Sequence, residues 1–312
     1  MKKETLDELI ACLPDDRTLF HYFKGQYAFL LLACAIREEQ SINQLKKSPY
    51  QSLLKQPDIK KILARQGDGK VSAGLFKHPW RNDSQPFVLT VDTWGKHNQW
   101  QYQTTRKGCN LVLQLNFSEH HNRAYQRLVK PKEDYLFNYS GHPVMDREKR
   151  RLYRETLAWA RIDLDLESNE ALIEEIQSDW VRRARYCLQG IRKGDTPWYL
   201  DWCHCEPEAF VRYAENVLAP YNNIWPEAML SAAIEFIHSE LGICNIFYHT
   251  HECGGKVKQI RRDAPPRSLY SDLPKKFCFQ ITDKDPRFIS DDRFYVRKKR
   301  HLKKINWYKL EL

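Results

Sequence analysis

Apolar residues recur at helical spacing through the first eighty residues of the chain. An amphipathic stripe ends at Leu13, and a longer apolar run predicts a buried helix over Leu19–Ile36. Ser41 and Asp58 are placed to cap two further helices, the second of which ends at Ala64. We therefore expect residues 1–80 to form a helical N-terminal subdomain.

Beyond a polar loop that ends at Pro86, apolar and polar residues alternate with the period of two that is typical of strands. The strand candidates are Pro86–Trp94, Gln99–Arg106, Asn110–Phe117, Thr156–Leu166, Ala171–Ser178, Ile243–Thr250 and Phe277–Thr282, with weaker ones at Tyr135–Tyr139 and Arg293–Val296. The turn at 167–170 joins two of these strands into a β-hairpin.

Helical patterns separate the strands. Ser118 caps a helix that ends at Leu128, and a second helix is predicted over 181–189. Pro226 lies in the first turn of a strongly periodic helix, and Gly242 fits the position that follows its last turn.

The order of these elements predicts an α+β domain over 86–296, followed by a basic C-terminal tail over 297–312. The hydrophobic content of 42% is that of a folded globule, and no stretch approaches the roughly 18–20 apolar residues of a membrane helix. The start of the chain lacks the pattern of a secretory signal. We expect a cytoplasmic protein whose nine cysteines are free thiols.

The chain carries a net charge of +10. Such a balance favours a polyanionic partner, either nucleic acid or a phosphate-rich cofactor. A basic surface without a specific partner is the alternative.

From Asn110 to Thr282 the element order resembles that of the GNAT N-acetyltransferases. A helix that ends before Gly242 leads into a strand. Leu269-Tyr270 and Lys276-Phe277 then occupy the places of the family's short tyrosine-bearing helix and the turn after it. The resemblance implies a mixed, mostly antiparallel central sheet flanked by helices, and an acyltransferase that uses acetyl-CoA or another acyl-CoA.

One segment departs from the GNAT pattern. GNAT enzymes cradle the cofactor pyrophosphate with N–H groups of a glycine-rich, basic loop before the central helix. Pro220–Pro226 stands in that place, contains neither glycine nor arginine, and ends in a residue without an N–H. This departure favours a degenerate relative that has lost or replaced the cofactor.

The segment Ile173–Trp180 (IEEIQSDW) carries a second resemblance. Together with Trp225-Pro226 and the Leu-Pro-Lys turn at 273–275, it is similar to a domain of large polyvalent proteins of phages and conjugative elements. The resemblance implies a mobile genetic element or a phage–host conflict system as the setting.

Strand alternation places Glu175, Gln177 and Asp179 on one face of the second hairpin strand, with Glu174 and Trp180 on the other. Carboxylates on a central strand are costly to bury unless they are paired or functional. In the GNAT resemblance Glu175 or Asp179 serves as general base, and Gln177 and Trp180 are candidate substrate contacts. The alternative is an ion-pair network with the arginines that follow: Arg182, Arg183 and Arg185.

Tyr270 matches the tyrosine that protonates the leaving thiolate in many GNAT enzymes, and a packing role in the core is its alternative. His249 and His251 lie where a strand ends and are candidate substrate-binding residues, together with Trp225. Three further histidines are expected on the surface: His120, His121 and His142.

Two clusters hold cysteine and histidine, the residues that bind zinc. Their members are Cys203, Cys205, His249, His251 and Cys253. The C-x-C and H-x-H-x-C spacings are not the CxxC pairs of zinc ribbons and fingers, so zinc is not expected.

Basic segments accompanied by aromatic residues favour binding of tRNA or DNA, since cations neutralise phosphates and aromatic rings stack on bases. The candidate contacts are Arg261, Arg262, Arg297, Lys298, Lys299 and Arg300. A noncatalytic nucleic-acid- or protein-binding module is therefore the rival of the enzyme hypothesis. A third possibility is an RNA- or nucleotide-directed enzyme that uses Glu175, Asp179 and His249.

Overall fold

The computed structural model describes residues 1–13, 18–95, 103–148, 152–195, 198–258, 266–302 and 305–312. Within them lie the β-strands β1 (Thr18–Tyr22), β2 (Gln40–Ser41), β3 (Lys70–Val71), β4 (Gln85–Trp94), β5 (Asn110–Phe117), β6 (Thr156–Asp165), β7 (Glu170–Gln177), β8 (Asn245–His249), β9 (Gln280–Thr282) and β10 (Trp307–Glu311).

The α-helices of the same residues are α1 (Lys3–Cys12), α2 (Tyr27–Ala35), α3 (Ile42–Leu45), α4 (Pro57–Leu63), α5 (Glu119–Leu128), α6 (Asp179–Arg192), α7 (Pro207–Arg212), α8 (Ala219–Asn222), α9 (Trp225–Glu235), α10 (His251–Val257), α11 (Asp272–Lys276), α12 (Arg287–Ser290) and α13 (Arg293–Lys299). Short 3₁₀ helices span Gln51–Lys55, Ala73–Phe76, Trp198–Trp202 and Arg267–Tyr270, and π-helical turns follow α7 and α9. No helix of the described residues is long and apolar enough to cross a membrane.

Eight strands form one sheet in the order β1-β4-β5-β6-β7-β8-β10-β9. Every neighbouring pair is antiparallel except β7 and β8, which are parallel. The prediction of an α+β fold with a mixed, mostly antiparallel central sheet flanked by helices is confirmed.

Apolar side chains pack on both faces of the sheet. The main core lies on one face, under α2, α5, α6 and α9, and includes Ile173 and Tyr248 from the parallel pair. The opposite face carries two smaller apolar clusters, one around Leu172 and Trp307 and one around Trp159. Buried polar residues, among them His249 on Trp307 and Arg161 on Trp94, lie between these two smaller clusters.

The first eighty residues contain the predicted helices, but Leu19–Ile36 is not one helix. Residues 18–22 form β1, which pairs with β4 at the edge of the sheet, and α2 follows after a turn at Gly25 with φ of +91°. An apolar run fits a strand or a helix equally well, and pairing with β4 decides between them. Leu19 is 72% exposed, so this run was less buried than its composition indicated.

Two weaker strand predictions are wrong. Tyr135–Tyr139 forms turns and bends, and Tyr135 itself has a φ of +61°. Arg293–Val296 lies in α13, because the Asp292 side chain caps that helix by accepting from the N–H groups of Phe294 and Tyr295. The predicted strand at 99–106 lies outside the described residues up to 102, and its last four residues are not a strand.

The prediction of a basic tail beyond the sheet is corrected by the position of β10. This strand lies inside the sheet, between β8 and β9, and Trp307 at its start is fully buried. Basic residues before it obscured a short alternating pattern whose partner strands are distant in sequence.

Candidate active site

The candidate site lies where the parallel strands β7 and β8 part. Their pairing joins Glu170–Ile173 to Asn245–Tyr248, and within the described residues it ends there. β7 continues to Gln177 while pairing only with β6 over those last residues. A gap therefore opens beside the second half of β7, and polar side chains from distant segments fill it.

A β-bulge in β7 determines which side chains face this gap. Arg161 of β6 pairs with Glu175, whereas the residue after Arg161 pairs with Ile173, so Glu174 is an extra residue on β7. Ile173 and Ile176 consequently share the main core, and both glutamates point to the opposite face. The prediction that Glu174 and Glu175 oppose each other is wrong, because alternation assumes a regular strand.

The negative charge of Glu175 is balanced by two buried cations. Glu175 forms an ion pair with the fully buried guanidinium of Arg161, and Lys258 Nζ lies 3.6 Å from the same carboxylate oxygen. Lys258 also donates to the Glu174 carbonyl at 2.7 Å. Burial alone would raise the pKa of Glu175, but the charges of Lys258 and Arg161 outweigh burial and lower it. These contacts favour a structural role for Glu175 over the general-base role.

His249 is fully buried against Glu174 and Thr105. Its Nε2 lies 2.9 Å from Thr105 Oγ1 and 3.1 Å from Glu174 Oε2. A nucleophilic triad needs the hydroxyl and the carboxylate on opposite ring nitrogens, and here both contact Nε2. Burial lowers the pKa of His249, so its neutral ring donates to Glu174. Burial opposes ionisation of Glu174, yet the His249 hydrogen bond and the nearby cations bring its pKa down to about 2.

Tyr270 packs behind this cluster. Its ring stacks on Tyr248 at a centroid distance of 5.3 Å, and Lys258 Nζ lies 5.9 Å from its ring centroid. Burial raises the pKa of Tyr270 well above its ordinary value. The packing alternative describes this environment better than exposure to a substrate does.

A second polar group, formed by His142, Asp179 and Gln177, reaches the surface at the end of β7. His142 Nδ1 lies 2.6 Å from Asp179 Oδ2, and the Gln177 amide donates to Asp179 Oδ1 at 2.7 Å. Arg182 donates to the same Oδ1 at 2.7 Å, which realises part of the predicted ion-pair network. The Asp179 side chain is 1% exposed, whereas that of His142 is 23% exposed.

Asp179 is held as a carboxylate by its position. It is the first residue of α6, whose cap is Ser178, and the N-terminus of a helix favours negative charge. Burial would raise its pKa, but hydrogen bonds from His142 and Gln177 and the charge of Arg182 lower it. Because a carboxylate only accepts, His142 Nδ1 carries the proton, which leaves Nε2 of the neutral ring as an acceptor.

The surface around His142 carries an aromatic ring and a cation. The Tyr139 ring is 49% exposed and its centroid lies 5.0 Å from that of His142, while the Arg182 side chain is 57% exposed. The Trp159 ring packs edge-on against the His142 imidazole, with the two ring centroids 5.5 Å apart. The group combines a proton acceptor, a stacking surface and a positive charge.

Several predicted site residues lie away from this group. Trp180 is fully buried and donates to the Tyr213 hydroxyl at 2.8 Å within an aromatic cluster. Trp225 is buried in the main core, and His251 is half-buried at the first position of α10. His121, expected on the surface, is buried, and its ring stacks on that of Phe117 with the centroids 3.5 Å apart. Burial lowers the pKa of His121 to about 3.

The predicted nucleic-acid contacts are only partly accessible. Arg297 and Arg300 are exposed, but Lys298 donates to the Thr104 carbonyl at 3.1 Å and Lys299 forms an ion pair with Asp285. Arg261 and Arg262 lie outside the described residues. The cation surface available on α13 is therefore smaller than the sequence indicated.

The cysteine and histidine clusters lie apart. Cys203 belongs to the main core, whereas Cys253 packs with Trp307 on the other face of the sheet. The described residues contain no group of three or more cysteine, histidine or acidic side chains that could hold a metal ion.

The N-terminus of α9 is the place of the acyl-CoA pyrophosphate in the GNAT resemblance. Its first turn is buried, and the Glu227 carboxylate there accepts from the Tyr22 hydroxyl and the Gly25 N–H, each at 3.1 Å. Lys276 forms an ion pair with Glu227 as well. This turn is covered and already holds an anion of the chain itself, so these residues do not fit a pyrophosphate.

Comparisons of the chain with protein-family models, with curated proteins and with solved structures found no match. The functional assignment therefore depends on the geometry of the site.

Four residues of the site were not identified from the sequence: Arg161, Lys258, Thr105 and His142. Three of them lie far along the chain from Glu174 and Glu175, and only folding brings them together. His142 precedes a proline in an irregular segment, which is the pattern of a surface loop. The cluster of polar residues on β7 was the signal in the sequence that pointed to this part of the sheet.

Proposed function

We propose that this chain is an acid–base enzyme, a relative of the GNAT-like acyltransferases that works without acyl-CoA. The observation that carries the proposal is the half-buried His142 imidazole held by the buried Asp179 carboxylate at 2.6 Å. A buried partner that holds the tautomer and the ring orientation of a histidine is the arrangement used for general-base catalysis.

His142 Nε2 is the proposed proton acceptor. It takes a proton from a hydroxyl, an amine or a water molecule of the substrate complex, and the imidazolium that forms is stabilised by Asp179. Gln177 and Arg182 hold Asp179 in place through its second oxygen. The buried glutamates of the Lys258 cluster, Glu174 and Glu175, lie on the same strand as Gln177, the residue of this group that belongs to β7.

The surroundings support an anionic substrate with a planar ring, of which a nucleotide or a nucleic acid is the natural example. Tyr139 offers a ring face for stacking, Arg182 offers a charge for a phosphate, and the chain as a whole carries a net charge of +10. The EIQSDW resemblance supports a setting in mobile genetic elements or phage–host conflict.

The test incubates the full chain with tRNA, with short RNA and DNA oligonucleotides and with acyl-CoA, and follows products by mass spectrometry. We expect conversion of a nucleic-acid substrate that falls by about 10²- to 10⁴-fold in His142→Gln. His120→Gln, which changes an exposed histidine of α5, is the matched control and should retain conversion.

Conversion that is equal in wild type and His142→Gln would contradict the proposal. Salt-dependent binding of tRNA without conversion by the wild-type chain would instead support the noncatalytic alternative. A thermal shift with acetyl-CoA would contradict the loss of the cofactor, since the first turn of α9 would then have to open.

A further inference from the structure

Cys203 and Cys205 lie in a short segment that is anchored next to α5. Cys203 forms an isolated antiparallel bridge with Pro131. The His204 N–H donates to the Lys130 carbonyl, and the Lys132 N–H donates to the Trp202 carbonyl, each at 2.8 Å. These bonds hold the backbone on either side of Cys203 and bring the two cysteine side chains to one side of a bend at His204.

The two sulfur atoms are 3.3 Å apart. A disulfide bond requires a separation of about 2.05 Å, so the sulfurs need to approach by only about 1.3 Å. Side-chain rotation supplies a movement of that size without displacement of the anchored backbone. Two cysteines separated by one residue in an extended strand would instead hold their side chains well apart.

The pair differs in burial and in acidity. Cys203 is 5% exposed and Cys205 is half-exposed, so a small reagent reaches the pair past Cys205. The hydrogen bond from Cys205, assisted by the charge of Lys132, lowers the pKa of Cys203 to about 7, while the same hydrogen bond raises the pKa of Cys205. A thiolate next to a protonated thiol is the arrangement that forms a disulfide after oxidation.

We propose that Cys203 and Cys205 form a peroxide-sensitive dithiol that closes reversibly to a disulfide. The Cys203 thiolate attacks one oxygen of hydrogen peroxide, which breaks the O–O bond, yields a sulfenic acid at Cys203 and releases hydroxide. The Cys205 thiol then attacks the Cys203 sulfur, the S–S bond forms, and water leaves with the sulfenic oxygen and the thiol proton. An added dithiol reduces the disulfide back to the two thiols and is itself oxidised to a disulfide.

The test treats the full-length protein with hydrogen peroxide, blocks remaining thiols with one alkylating reagent, reduces, and labels the released thiols with a second, isotopically distinct reagent. Peptide mass spectrometry then reports each cysteine separately. We expect the second label at Cys203 and Cys205 together, and its loss if dithiothreitol precedes alkylation. Cys12, an exposed cysteine on α1, is the control. It should not form a disulfide bond with another cysteine of the same chain.

Cys205→Ser removes the resolving thiol, so dimedone should trap a sulfenic acid at Cys203 to a greater extent than in the wild type. Alkylation of Cys203 in the unoxidised protein should reach half its maximal rate near pH 7. The proposal is overturned if peroxide leaves both thiols open to the first reagent, or if dimedone labels Cys203 no more than Cys12. The first of these two outcomes is measured on the wild-type protein and depends on no variant that has to fold. It is therefore decisive by itself.

Discussion

Two polar groups lie beside the second half of β7 and at its end, and they differ in one property. The first, Glu174 and Glu175 with Arg161, Lys258 and His249, is closed: every member is at most 6% exposed. The second, His142 with Asp179 and Gln177, has a buried carboxylate but presents an imidazole to solvent. The sequence marks the first group more strongly, because two adjacent glutamates stand out in a strand.

The difference shows that buried carboxylates on and just after β7 have two kinds of surroundings. In the closed group each carboxylate has an internal partner, so removal of one partner would leave an uncompensated buried charge where β7 and β8 part. In the open group Asp179 orients His142, a partly exposed side chain whose Nε2 has no hydrogen-bond partner among the described residues. Substitutions in the closed group should therefore change stability, and substitutions in the open group should change function.

The largest expected effect comes from Lys258→Met. It leaves Glu175 with Arg161 alone and the Glu174 carbonyl without its donor, so we expect a loss of about 3–5 kcal/mol in the free energy of unfolding. Urea denaturation measures this loss. Lys256→Met, at an exposed position two residues earlier on α10, is the control and should change stability by less than about 0.5 kcal/mol. Equal effects of the two substitutions would show that the closed group contributes little.

His142→Gln should have the opposite profile. Its hydrogen bond to Asp179 is near the surface, so we expect a stability loss below about 1.5 kcal/mol together with the loss of conversion described above. Asp179→Asn should reduce conversion as well, because an amide oxygen can accept from Nδ1 but does not stabilise the imidazolium. A large loss in the free energy of unfolding without a change in conversion would show that His142 has only a structural role.

Stability at acid pH should report the closed group. The pKa of Glu174 in the folded chain, about 2, lies below its ordinary value of 4.5, so the unfolded chain takes up the proton first as pH falls. The stability that ionised Glu174 contributes is complete above about pH 4.5 and is lost between there and about pH 2. Urea denaturation over this range should show a shallower pH dependence for Glu174→Gln than for Glu252→Gln, an exposed position on α10.

The smallest expected effect on stability is that of Arg182→Gln. Its ion pair with Asp179 is exposed on the arginine side, so the free energy of unfolding should change by less than about 1 kcal/mol. Affinity for tRNA should fall nevertheless. The slope of log K for binding against log salt concentration should become shallower by about one unit, as expected for the loss of one phosphate contact. Arg185→Gln, exposed on the same helix, is the control. An unchanged salt dependence in Arg182→Gln would remove Arg182 from the substrate surface.

Much of the secondary structure followed from the residues alone. β5 and α5 have the predicted bounds, β4 and β6 differ from the predictions by one residue at one end, and β7 differs by one residue at each end. Apart from the bulge in β7, these elements have regular alternation or a serine cap, and both are local signals. Positions 18–22 and 307–311 were misassigned because each is a strand only through a partner far along the chain.

The sequence by itself also determined that buried polar residues would concentrate on β7, since they interrupt an otherwise apolar strand there. Only the tertiary structure decided which of them are closed and which are open. The bulge at Glu174 is invisible to alternation, and it moves one glutamate to the face of the other. His142 and Lys258 reach the strand from other parts of the chain, so their distance from Asp179 and Glu175 is a property of the fold.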